Sequence, residues 1–405
     1  MQVISIPEKE EMDLLSIGEG KHLVGEFIGD ESGVSLIVFG SIHGNEQSGL
    51  RAMRRILPKL KELSEKLKGR VYLIAGNTRA INKNVRFIDE DLNRHWTNDG
   101  VKHNRAEAHI STNRAEDKEQ GEILQILDRI FSTAQNEVYA MDLHSTSVES
   151  TPFAMIGDTL RNRHFAQKFP ATFLLGIEEQ LDGTIMEYVN NLGAVTLGFE
   201  AGQHTTMAAV DNQEAILWLA LINSRILSES EIDVAKYREI LRNAMGGDLR
   251  IIEIRYRHGI SKADEFKMEL GYKNFQPVKR GEVLAHDRNG NIKANESGLI
   301  LMPLYQTQGD DGFFLGREIS PFWLWLSRIL RNLKIGDLVR FLPGVQQNPA
   351  DEDSVIVNTN VARIFPLQIF HLLGFRKRRW RNERLVVSRR KHDTKSPFIK
   401  HKSKR

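Results

Sequence analysis

The stretch VSLIVFG at residues 34–40 runs directly into SIHGNE and then into SGLRAMRRILPKL, whose apolar residues fall at helical spacing. An apolar run, a short polar loop and an amphipathic helix make a strand–loop–helix unit, which constrains the fold more than any other feature of the chain. VYLIA at 71–75 and EVYAMD at 137–142 read as further strands. Apolar segments at 172–176 and 194–199 come between helical patterns at 119–131, 184–192 and 211–225. The expected fold class is α/β, a sheet flanked by helices. Its polar residues gather just after strand ends, where open parallel sheets bind ligands.

Near residue 248 the pattern changes. Runs at 249–257, 278–285 and 298–304 are short and strand-like, divided by GY, NG and ESG turn signals with no long helix between them. A catalytic domain over 1–235 is therefore expected to precede a small all-β domain over 236–320. PFWLWLSRILRNLKIGDLVRFLPG then shows the spacing of an amphipathic segment and opens an extension over 321–375. Residues 376–405 are expected to form an extended, solvated basic tail. That tail holds fourteen Lys or Arg against two acids, whereas residues 1–375 hold 42 basic against 51 acidic residues. The formal net charge of +3 consequently says little about the ligand of the body.

Composition removes several chemistries. With no cysteine there are no disulfides, thiolate nucleophiles or sulfur-ligated metals, so any metal is held by nitrogen and oxygen. The N-terminus MQVISIPEKEEMDLLSIGEG lacks a basic start followed by an apolar run, and no stretch approaches 18 uncharged apolar residues, so a cytoplasmic location is expected.

In SIHGNEQSG, His43 and Glu46 stand three residues apart on a turn, able to offer one imidazole nitrogen and one carboxylate oxygen to the same Zn²⁺. The expected third donor is His144 in YAMDLHSTS, carried by an apolar run to the same sheet edge. Two His and one Glu leave a fourth position open, as a catalytic zinc requires. Asp142 either alternates away from His144 or turns back to hold an imidazole N–H. Between these segments AGNTRAINKNVRFIDEDLNRHW places Asn77, Arg79, Arg86, Asn93 and Arg94 beside Asp89, Glu90 and Asp91. Arg79 reads as readily as a surface ion pair. Arg86 and Arg94 bracket a short polar element before Trp96, where guanidinium forks suit a carboxylate or a developing oxyanion, so an anionic substrate is expected. Glu200 in GAVTLGFEAGQH ends an apolar run. It reads either as an ordinary strand-end acid or as a proton acceptor for water that later protonates a leaving amine.

These motifs resemble, in order, those of the succinylglutamate desuccinylase and aspartoacylase family, over approximately residues 20–318. The resemblance implies a zinc carboxypeptidase-like mixed sheet flanked by helices, followed by a small all-β domain and, here, a C-terminal extension. HGNE and DLHS look like the family's ligand segments, which implies one Zn²⁺ per chain on His43, Glu46 and His144. GFEAG implies Glu200 as general base and acid. RFIDEDLNR implies Arg86 polarising the scissile carbonyl, with Asn93 and Arg94 receiving a substrate carboxylate, and LMPLYQTQ suggests Tyr305 as a further substrate contact. One departure concerns substrate choice: aspartoacylases carry a substrate-binding arginine ten residues before the catalytic glutamate, and that offset here reaches Asn190. The implied partner is a small carboxylated amide, with self-association left open. Two other readings compete: a metallocarboxypeptidase acting on peptides, and a non-enzymatic protein binding a polyanion through RKRRWRNERLVVSRRK or an anionic membrane through WLWLSRILRNL.

Overall fold

The computed structural model describes residues 17–107, 114–247, 249–306, 308–349, 351, 353–358, 367–381 and 384–399. Its N-terminal half holds strands β1 (Leu23–Ile28), β2 (Val34–Gly40), β3 (Gly69–Ala75), β4 (Val138–Thr146), β5 (Phe153–Ile156), β6 (Phe173–Leu175), β7 (Val195–Gln203) and β8 (Ile251–Gly259). Strands β3, β2, β4 and β7 lie side by side in parallel. β2 and β3 are covered on both faces, so they read as continuous apolar runs rather than alternating ones. The helix Ser48–Glu62 buries Leu50, Met53, Ile56 and Leu60 at spacings of three and four. Met207–Asn223 packs between that helix and Val234–Met245, and it is apolar nearly all round. β1 runs antiparallel to β3, and β5 runs antiparallel to β7 and parallel to β6; both are short elements absent from the sequence-based reading.

The second half corrects the expected domain division. Strands β9 (Lys267–Met268), β10 (Pro277–Val278), β11 (Val283–Asp287), β12 (Gly290–Lys293), β13 (Gly298–Leu301) and β14 (Asp311–Glu318) are as short as the turn signals predict. However, β8 pairs in parallel with β6 and antiparallel with β14, so one eleven-stranded sheet runs β1-β3-β2-β4-β7-β5-β6-β8-β14-β13-β10. Only β9, β11 and β12 form a sheet of their own within this region. The position chosen for the boundary, 235/236, falls inside the helix Val234–Met245.

The extended basic tail is also overturned. β15 (Val345–Gln347), β16 (Ser354–Val357), β17 (Phe375–Arg381) and β18 (Arg384–Arg389) form an antiparallel four-stranded sheet. Leu385 and Val387, two apart on one face of β18, point into a core with Val355, Val357 and Phe370, which is why a charge-rich stretch folds. Arg376, Arg389 and Arg390 of the tail each face an acid within the protein. Arg376 from β17 and Arg331 from the helix Pro321–Asn332 converge with Arg163 on Asp158 of the catalytic body. Arg376 also pairs with Glu253 of β8 at 2.7 Å, and His371 Nδ1 lies 2.8 Å from the same carboxylate.

Burial opposes ionisation of Glu253, yet His371 and Arg376 outweigh it and bring the carboxyl down to about 2. A depressed carboxyl contributes stability that is complete above its unfolded value near 4.5 and is lost as pH falls towards 2, here about 3 kcal/mol. Glu253→Gln is thus expected to cost that much near pH 6 and progressively less between pH 4.5 and 2, as read from urea midpoints of both proteins. An equal gap at both ends would contradict the pairing.

Candidate active site

His43 leaves β2 through Ser41, which adopts a left-handed φ of 57° and donates from Oγ to the carbonyl of Glu46. Glu46 N–H in turn donates to the carbonyl of His43, closing the loop. Gly44 is required here because a Cβ would stand 2.3 Å from the carbonyl carbon of Ala80. His144 ends β4 on the neighbouring strand, and Glu200 lies directly opposite it in the register of β4 with β7.

The three expected donors come together. His43 Nδ1 is 2.9 Å from Glu46 Oε1, and His144 Nδ1 is 3.1 Å from Glu46 Oε2. One ligand atom from each residue lies within 4.8 Å of the others, and all three residues are buried. The opposite nitrogens face carboxylates: His43 Nε2 is 3.1 Å from Asp91 Oδ1, and His144 Nε2 is 2.6 Å from Asp142 Oδ2. Carboxylates behind imidazoles orient them and strengthen them as donors, so the residues fit a divalent cation. Asp142 therefore takes the second of its two readings, because positions two apart on a strand share a face. Burial raises the cost of charging Glu46, but the charge of His43 and the hydrogen bond from His144 hold it well below the usual carboxylate range. Asp91 is held low in the same way, against burial, by His43 and Arg86.

Around this centre lies a pocket of about 140 Å³, lined by Arg86, Asn93, Arg94 and Glu200 and bordered by residues 302–304 and 309–311. Arg86 bonds Asp91 and approaches Glu46 and His43. Asn93 accepts from the Ile185 N–H through Oδ1, which leaves its amide nitrogen towards His144. Arg94 donates to Asp311 Oδ2 at 2.7 Å, and Arg257 takes the other oxygen of that carboxylate. Glu200 Oε2 is buried with no hydrogen-bond partner, and burial together with Glu46 outweighs His144 to push the carboxyl up to about 7.

One expectation fails. Tyr305 does not line the pocket; its hydroxyl donates to the carbonyl of Glu269 and accepts from the Tyr272 N–H, inside the β-rich region. Arg79 takes the structural reading, bound to Glu119 and Glu122. His22, Glu119 and Glu122 form a second group with metal-sized spacing, but Glu119 is already satisfied by Thr78 and Arg79. Asp91 and Asp311 are functional neighbours that sequence reasoning did not single out. Asp91 had one local signal, its place as N-cap of the short helix Leu92–Arg94.

Two imidazoles and a carboxylate at the C-terminal ends of parallel strands, with arginines on one side and an unpartnered buried glutamate on the other, define an α/β enzyme with a cation-ready centre. Residues 32–224 match the model of the succinylglutamate desuccinylase/aspartoacylase catalytic domain. The succinylglutamate desuccinylase of Pseudomonas fluorescens is 24% identical over 268 residues, 64% of this chain and 74% of that protein. That of Pseudomonas putida is 35% identical over 78 residues, which span 19% of this chain and only 23% of the relative's length. Among solved structures, a succinylglutamate desuccinylase/aspartoacylase from Rhodobacter sphaeroides shares the fold at TM-score 0.53 and 18% identity, over 73% of this chain and 88% of that one. The matched catalytic domain, the relatives and the shared fold all support the succinylglutamate desuccinylase/aspartoacylase family.

Proposed function

We propose that this protein hydrolyses the amide bond of a small N-acyl amino acid or related carboxylated molecule, with one Zn²⁺ held by His43, Glu46 and His144. The observation that carries this reading is the convergence of those three donors, each imidazole backed by a carboxylate, beside the unpartnered Glu200. Bound zinc supplies Lewis-acid polarisation of the carbonyl and of the attacking water. The protein's own groups do the rest. Arg94, exchanging Asp311 for substrate, and Asn93 orient the substrate carboxylate. Arg86 faces the carbonyl oxygen as negative charge develops on it. Glu200 accepts a proton from the attacking water and delivers it to the amine nitrogen as the C–N bond breaks, leaving a carboxylate and a free amine.

The names of the relatives support N-acyl amino acids as the substrate class. The modest, partly roofed pocket favours small amides over long peptides. The test joins elemental analysis of purified protein to amine release from a panel of N-acyl amino acids, with and without chelator. About one zinc per chain and chelator-sensitive release are expected, with His144→Ala losing both while keeping its far-UV spectrum. Zinc-replete protein that holds no metal and turns over no amide would overturn the reading.

A further inference from the structure

Behind His144 lies a second cavity of about 90 Å³, and Asn93, His144, Met155, Ile177 and Leu181 line both it and the catalytic pocket. Thr196 and Gly198 enter its wall from β7, four and two residues before Glu200 on the same strand face. In the proposed reaction Asn93 orients the carboxylate of the amine half, and because Asn93 lines both cavities this chamber lies within reach of that amino acid's side chain. The wall is completed by Arg390, which follows β18 and lies far outside the family-matched residues 32–224.

Arg390 is the single Lys or Arg lining the chamber, with its side chain 5% exposed and Nη1 3.7 Å from Glu187 Oε1. Its Nε has no hydrogen-bond partner, and neither do Glu178 Oε2 and Asn190 Oδ1 on the same walls. Burial pushes the Glu178 carboxyl up against the pull of Arg390, favouring its uncharged form. Asp142 Oδ1 on the same walls is also without a hydrogen-bond partner, and since buried polar atoms are nearly always satisfied in a folded protein, one donor and at least three acceptors left over around one cavity point to a ligand. Charge narrows its class. Arg390 and Glu187 face one another across it, so an entering carboxylate meets the Glu187 carboxylate and an entering ammonium meets the Arg390 guanidinium, a like charge in a buried setting in either case. A carboxamide brings none, and it offers an acceptor and donors together.

We propose that the chamber selects an amine half with a carboxamide side chain, and that Arg390, supplied by the C-terminal extension, is the specificity-determining donor to its oxygen. This rests on the amide-hydrolase reading, and the test separates the two. With the acyl group fixed as acetyl, kcat/KM is measured for N-acetyl glutamine, glutamate, lysine and norleucine. Glutamine is expected to lead each of the others by at least tenfold, and Arg390→Met to lower the glutamine-to-norleucine ratio by at least tenfold, with Arg390→Lys in between. The ratio is insensitive to partial loss of folded enzyme. Calorimetry of full-length protein with free glutamine, glutamate, lysine and norleucine reads the chamber without turnover. Lack of preference for glutamine there, or a wild-type ranking led by glutamate, lysine or norleucine, overturns the inference even where the amide is cleaved. Glutamine preference without any turnover would instead sink the hydrolase reading alone.

Discussion

Glu200→Gln is expected to lower kcat by about two to four orders of magnitude while leaving metal content unchanged, because it removes a proton acceptor and touches none of the three donors. The substitution keeps shape and hydrogen-bonding capacity at a position 8% exposed, so folding should survive. In the metal-free arrangement burial and Glu46 push this carboxyl up to about 7, and a cation on its neighbours lowers it from there. Only the ionised form accepts a proton. Activity of the wild type should therefore rise with pH through an acidic limb lying below about 7, and the residual activity of Glu200→Gln should lack that limb. Retained turnover with the limb intact would assign the proton transfer to another group.

Local signals made the cluster of three candidate donors legible. HGNE follows a seven-residue apolar run, and DLHS ends another, so strand ends and spacing placed His43, Glu46 and His144 before any tertiary contact was known. β5 was not legible, because a four-residue run such as FAMI carries too few positions to show a period. Asp142 was ambiguous from the loop side and clear from the strand side, where residues two apart face the same way. Asp311 and Arg390 lie more than 200 residues from His43 along the chain, and nothing local marks either as a neighbour of the site. The tail was misread because charge was counted and periodicity was not. ERLVVSRR contains the pair Leu385 and Val387, two apart on one face, that seats β18 in its sheet, while Arg389 answers Asp337 of the extension and Arg390 faces Glu187 of the catalytic body.

The arginine pairing between extension and body carries the largest stability prediction. Asp158 is fully buried, and burial alone would raise its pKa, but the charges of Arg163, Arg331 and Arg376 hold it well below the usual carboxylate range. Asp158→Asn preserves shape, strands Arg163 and takes an ionic partner from Arg331 and Arg376, which keep Asp393 and Glu253 respectively, and Arg331 is 1% exposed at its side chain. Removing one member of a buried ionic group costs about 3–5 kcal/mol, since the remaining charges stay desolvated without compensation. The loss should not be uniform. Arg331 and Arg376 belong to the extension while Asp158 and Arg163 belong to the catalytic body, so the variant should loosen the extension first and show early proteolytic cleavage beyond residue 320 with the body still intact. Because Arg390 reaches the inner chamber only while the extension is docked, Asp158→Asn should also shift side-chain selectivity in the same direction as Arg390→Met. A variant that melts in one step with unchanged selectivity would mean that Asp158 supports the body alone, and that Arg390 is held in place by Glu187 and by the Asp393 contacts to Leu160 and Arg161 instead.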